Sequence, residues 1–116
     1  MEKIKKTISP EVQEVIEAVN RIINNARDSV KKEYQNTAND WLDCFGSIMF
    51  QLGTNLSLKR MKDYFGEVKH SEILAKFDKF NDEFLALKEA HADEDDYVPD
   101  EEEKEDLFRK LGEFKL

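Results

Sequence analysis

Apolar residues in this chain recur in alternating steps of four and three, the spacing that lines one face of an α-helix. Val12, Ile16, Val19, Ile23, Ala26 and Val30 form one such series, and Ile73, Phe77, Phe80, Phe84 and Leu87 form another. No strand-like alternation bounded by turn residues occurs. With only four Gly and two Pro, the chain also lacks the punctuation that an all-β fold needs. The fold class that follows is all-α.

The helical segments can be placed by their start and stop signals. Ser9-Pro10 pairs an N-cap with a proline suited to the first turn, and opens an amphipathic helix of about 25 residues. Val15, Ile22 and Tyr34 widen its stripe, and Glu17/Arg21 and Asp28/Lys32 are favourably ordered i,i+4 pairs. Residues 35–40 read as a break, with Thr37 and Asp40 at capping-box spacing. The alternative is one helix from Pro10 to Leu52, because the stripe keeps its phase through Ala38. A second helix carries Trp41, Phe45, Ile48, Met49 and Leu52, with Gly53 as its stop. Ser57 is expected to cap a short basic helix, Leu58 to Phe65, that Gly66 ends. Ser71 is expected to start the Phe-rich helix, in which Glu72/Lys76 is a further pair. Pro99 and Asp100 open a last short helix through Leu111, supported by Glu105/Arg109 and Asp106/Lys110, with Leu107, Phe108, Leu111 and Phe114 as its apolar residues.

A chain of 116 residues fits one domain with a real core, and eight Phe, one Trp and three Tyr argue against disorder. The expectation is a four- or five-helix bundle with a long N-terminal helix and an acidic C-terminal segment. It divides into a basic arm (1–8), a helical core (9–90), and an acidic loop with a short helix (91–116). The Phe stripe, and Trp41 with Phe45, read as core rather than as a ligand pocket. A first helix of that length overhangs shorter partners, so its excess stripe could be covered by a second copy in a homodimer.

Charge is the second constraint. The net charge is −8, yet residues 1–70 carry 11 Lys/Arg against 10 Asp/Glu, and residues 71–116 carry 7 against 16. Ten carboxylates and one Lys fall between Asp93 and Asp106. Asp100 to Glu103 suit a helix N-terminus, where the backbone dipole favours anions. Asp93, Glu94, Asp95 and Asp96 follow the end of a helix, where that dipole opposes them, so folding does not account for them. Asp93-x-Asp95-x-Tyr97 starts like a calcium loop, but Val98 stands where Gly is needed and Lys104 where a bidentate Glu is needed. No metal site or cofactor is assigned.

The candidate partner-binding residues are therefore Asp93, Glu94, Asp95, Asp96, Tyr97, Asp100, Glu101, Glu102 and Glu103. Their complement is a basic protein surface. It is either the chain's own Lys59, Arg60, Lys62 and Lys69, or an external one such as the phosphate-binding groove of a nucleic-acid enzyme. The favoured function is a small acidic non-enzymatic binding module, in its sharpest form an inhibitor of such an enzyme of the bacteriophage anti-defence type. The alternative is a self-associating assembly protein using the helical stripe. No phosphate loop, nucleophile elbow or HExxH motif points to an enzyme. His70 and His91 read as structural or surface residues, and Cys44 as a buried thiol. The overall charge disfavours direct nucleic-acid binding. With no apolar core in the N-terminal arm and no membrane-length apolar run, the expected location is cytoplasmic and soluble.

Overall fold

The computed structural model describes residues 9–37, 40–94 and 97–116. The described residues form six helices: α1 (Pro10–Asn24), α2 (Ala26–Thr37), α3 (Trp41–Leu56), α4 (Lys59–Phe65), α5 (Glu67–Ala90) and α6 (Glu101–Gly112). The class is all-α, as the periodicity requires. The basic arm, Ala38, Asn39, Asp95 and Asp96 lie outside the described residues.

Two helices stand where one long N-terminal helix was expected. Ser9 caps α1 by accepting from the Val12 N–H at 3.3 Å. The helix bends at Asn25, whose φ of −98° and ψ of 4° lie in the bridge region. The hydrogen-bond ladder continues through the bend, with Asn25 N–H to Arg21 and Ser29 N–H to Asn25 both at 2.9 Å. Ile23, Ala26 and Val30 thus stay on one face, all buried. Helix α2 packs against α3, and Asp40 has a non-helical ψ of 138°, which rules out one helix from Pro10 to Leu52. Thr37 is the last residue of α2, and Asp40 alone caps α3 by accepting from the Leu42 N–H at 3.0 Å.

The centre of the bundle is α3. Trp41, Leu42, Cys44, Phe45, Ile48, Met49, Leu52 and Leu56 are all buried, against α1, α2 and α5. Phe45 is the hub, with ring centroids 5.6 Å from Trp41, 5.2 Å from Phe84 and 5.6 Å from Phe108. Phe77 and Phe80 pack on Phe114 beyond α6. The Phe series of α5 is therefore core. The stripe of α1 and α2 is covered within the same chain: Val12, Val15, Val19, Ile23, Ala26 and Val30 are each at most 9% exposed. Tyr34, which widens the stripe, is 37% exposed, while the series itself is not available to a second copy.

Gly53 is inside α3, not at its end. A Cβ there would stand 2.8 Å from the Phe77 ring, so glycine lets α3 and α5 approach closely. Because Phe77 is itself buried against Phe114, the ring has little room to yield. Gly53→Ala is expected to cost about 1 kcal/mol net, overpacking outweighing the gain in helix propensity. Urea unfolding checks this, and a stabilised variant would mean that the helices can move apart.

Helix α3 runs on to Leu56, and the Ser57 hydroxyl donates back to the Thr54 carbonyl instead of capping α4. Gly66, at φ 88°, ends α4 and leads straight into α5, so the helix starts before Ser71. The left-handed conformation at this junction is one that glycine adopts without a Cβ penalty. His70 falls in the first turn of α5, buried, with Nε2 2.8 Å from the Leu56 carbonyl. Since a carbonyl only accepts, Nε2 carries the proton, and the bond joins the start of α5 to the end of α3.

Helix α3 is antiparallel to α5, Gly46 facing Phe84 and Gly53 facing Phe77. Helix α6 returns along another side of α5, with Lys110–Glu83 at 3.2 Å and Lys76–Glu113 at 3.1 Å. The 24 residues of α5, about 36 Å long, separate α4 from the loop that follows His91. The basic helix and the acidic segment consequently occupy opposite ends of the bundle.

Candidate functional site

The acidic end is built by the exit from α5 and the entry into α6. His91 caps the end of α5, and its ring lies flat on Tyr97, centroids 3.5 Å apart and planes within 3°. His91 Nδ1 meets Glu94 Oε2 at 2.5 Å. The Tyr97 hydroxyl donates to Glu103 Oε1 at 3.0 Å. The same Glu103 oxygen accepts from the Asp100 N–H at 3.3 Å, and Asp100 Oδ1 accepts from the Glu103 N–H at 2.8 Å. These last two bonds form a reciprocal capping box, which satisfies donors that a helix start leaves unpaired. Pro99 precedes the cap and is buried. The acidic helix thus begins at Asp100, with Pro99 just outside it.

Nine candidate residues were expected here, and the structure divides them by role. Tyr97, Asp100 and Glu103 converge on one set of hydrogen bonds, and Glu94 joins them through His91. These four fix the geometry of the segment. Asp93, Glu101 and Glu102 are exposed. Asp95 and Asp96 lie outside the described residues. On the outer side of α6, Asp100, Glu102, Glu103, Glu105 and Asp106 line a shallow depression of about 670 Å³, with Arg109 also in its lining.

Several carboxylates of α6 are matched internally, in ways that helical spacing does not reveal. Glu105 pairs with Arg27, 78 positions away, through two contacts of 2.6 Å, rather than with Arg109. That guanidinium also covers the Phe108 ring at 4.6 Å. The hydrogen bond from Arg27 holds the Glu105 carboxyl below its ordinary range. Asp106 meets Lys110 at 3.3 Å, as expected, and Arg109 as well; hydrogen bonding, led by Lys110, holds it low too. Lys76 turns to Glu113 in place of Glu72. Lys59 pairs with Asp63 in its own helix at 3.1 Å. The cations that meet α6 therefore come from α2, α5 and α6 itself. The acidic segment does not lie over the basic patch of α4.

Burial, the bond to Glu103 and the surrounding carboxylates push the Tyr97 hydroxyl up to about 12. Its neutral form is the one the fold favours. That contribution is complete below the ordinary tyrosine value of 10 and is lost as pH rises through about 12. One tyrosinate step near about 12 is expected in an ultraviolet pH titration, and Tyr97→Phe should abolish it. If the variant kept that step, Tyr97 would not be the group that titrates there.

Burial likewise raises the Cys44 thiol, and the carboxylates Glu33, Asp43 and Asp40 add to the shift. A buried thiol of this kind is inert. Among the described residues, no group of three or more His, Cys, Asp or Glu could hold a metal ion, and no helix is long and apolar enough to cross a membrane. Comparison with protein families, with curated proteins and with solved structures found no significant match.

Proposed function

We propose that this chain is a non-enzymatic binding protein whose acidic end occupies a basic surface on another protein. The observation that carries this is the internal bracing of the acidic segment. The capping box, the Tyr97–Glu103 bond and the His91–Tyr97 stack hold a run of carboxylates in fixed positions while its outer face stays in water. A run kept only for solubility has no need of such fixing. Preset carboxylates, in contrast, meet cations on a partner without a large ordering cost, and bring electrostatic steering and register.

Asp93, Glu101 and Glu102 are the residues assigned to contact, with Asp95 and Asp96 adjoining them in sequence. Glu103, Asp100 and Tyr97 serve by positioning. In the sharpest form of the proposal, the partner's surface is the Lys/Arg groove by which a nucleic-acid enzyme holds phosphates, and the chain inhibits it by competition. The long-range attraction of such grooves for phosphate is electrostatic, so closely spaced carboxylates compete in kind.

The test is affinity capture by the tagged chain from its native host or that host's prey, at low and at high salt. A basic protein recovered at low salt and released at high salt is the expected result. Recovery of nothing but the chain itself would contradict the proposal.

A further inference from the structure

The outer face of the α3–α5 pair carries an apolar surface that the core does not use. Phe50 is 76% exposed and Leu85 48%. Both line an open groove of about 1120 Å³ between the two helices. Leu74, Asp78, Asn81, Leu85 and Lys88 line it along α5, again in steps of four and three. This second series is distinct from the core series of the same helix. A ring this exposed beside apolar neighbours is the kind of patch that marks a contact.

Gly46 supplies a second observation. Like Gly53 it lies within α3, where glycine is unfavourable relative to alanine. Gly53 is explained by the Phe77 ring, but a Cβ at Gly46 would make only ordinary contact with Phe84, at 3.5 Å. The chain's own packing does not require glycine there. It leaves the groove lining without a side chain one helical turn from Phe50.

We propose that this face binds a second copy of the chain, in an antiparallel two-fold pairing. Charge selects the occupant and its direction. Asp78 and Lys88 have opposite signs and stand about 15 Å apart along α5. A two-fold axis midway between them sets Asp78 of each chain against Lys88 of the other, and Asn81 against Leu85. A parallel pairing would set like charges together. The antiparallel register of α3 on α5 places Phe50 level with residue 80, so the same axis sets each Phe50 level with residue 44 of the other copy, between Asp43 and Gly46 on the groove side. The ring that the monomer does not bury then rests beside a position that carries no side chain. Lys88, which holds Asp43 at 2.6 Å, then lies between two carboxylates. Such an interface is self-complementary, as two-fold dimers require. Lys76 and Glu83, which meet α6, lie on the opposite side of α5, so the acidic ends remain open and the dimer presents two of them.

Sedimentation velocity of the full chain over a concentration series tests this. A reversible dimer is expected. Phe50→Asp should make it monomeric, with the melting temperature that the wild type has at concentrations too low for dimerisation, because the ring is in water in the monomer. Asp78→Lys and Lys88→Asp should each weaken self-association by at least about tenfold. An equimolar mixture of those two variants should dimerise again, since both cross-pairs are then restored. A wild-type monomer at the highest soluble concentration would overturn the proposal, as would a dimer that survives Phe50→Asp. If the wild type is monomeric and Phe50 instead captures a helix from another protein, the occupant is that protein and the two-copy assignment is wrong.

Discussion

Phe45→Ala is expected to destabilise the fold by about 3–5 kcal/mol, the largest loss from any single truncation in this core. The ring is fully buried and joins three helices, touching Trp41 beside it on α3, Phe80 and Phe84 on α5, and Phe108 on α6. Truncating a buried phenylalanine typically costs about 3–5 kcal/mol, because the transfer energy is lost and a cavity is left behind. A domain of this size is stable by about 5–15 kcal/mol, so the substitution removes a large share of the total. Far-ultraviolet circular dichroism with urea titration measures the effect. A loss below about 1 kcal/mol would mean that α6 does not pack on α3 as described.

His70→Leu has the next largest expected effect, about 2 kcal/mol. The substitution is apolar and of similar bulk, so packing is not the reason. The Leu56 carbonyl lies in the last turn of α3, where the helix provides no partner, and His70 Nε2–H is its donor at 2.8 Å. Leucine leaves that carbonyl buried and unpaired. His70→Gln retains a donor near the same place and should recover part of the loss. Equal stabilities for the Leu and Gln variants would show that the bond contributes nothing.

The helices were legible in the sequence because burial writes its period directly. Every member of the Val12–Val30 series except Ile16, which is half-buried, is in the core, and so are Phe77, Phe80 and Phe84 of the second series. The boundaries were less so, since glycine and serine act in more than one way. Gly66 ends a helix, but Gly53 serves close packing, and only the Phe77 ring distinguishes them. Ser57 and Ser71 looked like caps, while the turn at Gly66 and the length of α3 decide where helices start. The bend at Asn25 left no mark on the stripe because the ladder runs through it.

At the acidic end, local chemistry was readable and long-range chemistry was not. The helix dipole placed Asp100 to Glu103 at a helix start, and the capping-box spacing of Asp100 and Glu103 is a further signal that would have set Pro99 outside the helix. The Arg27–Glu105 pair joins residues 78 positions apart, and no periodicity links them. The stack of His91 on Tyr97 brings the end of α5 against the approach to α6, which spacing alone does not specify. Tyr97 could anchor a partner or tack the loop to the core by its place in the sequence, and in the fold its ring stacks on His91 and its hydroxyl meets Glu103.

The central claim is that the exposed carboxylates bind while the braced ones position them. Asp93→Asn combined with Glu102→Gln separates binding from folding. Asp93 opposes the dipole at the end of α5, and Glu102 complements it at the start of α6, so their neutralisation should nearly cancel in stability. The decisive measurement is the Kd of the captured basic partner for the wild type and for this double variant, with melting temperatures taken in parallel. The account predicts binding weaker by at least about tenfold at an unchanged melting temperature. Equal affinities would contradict it and assign the acidic end to solubility alone.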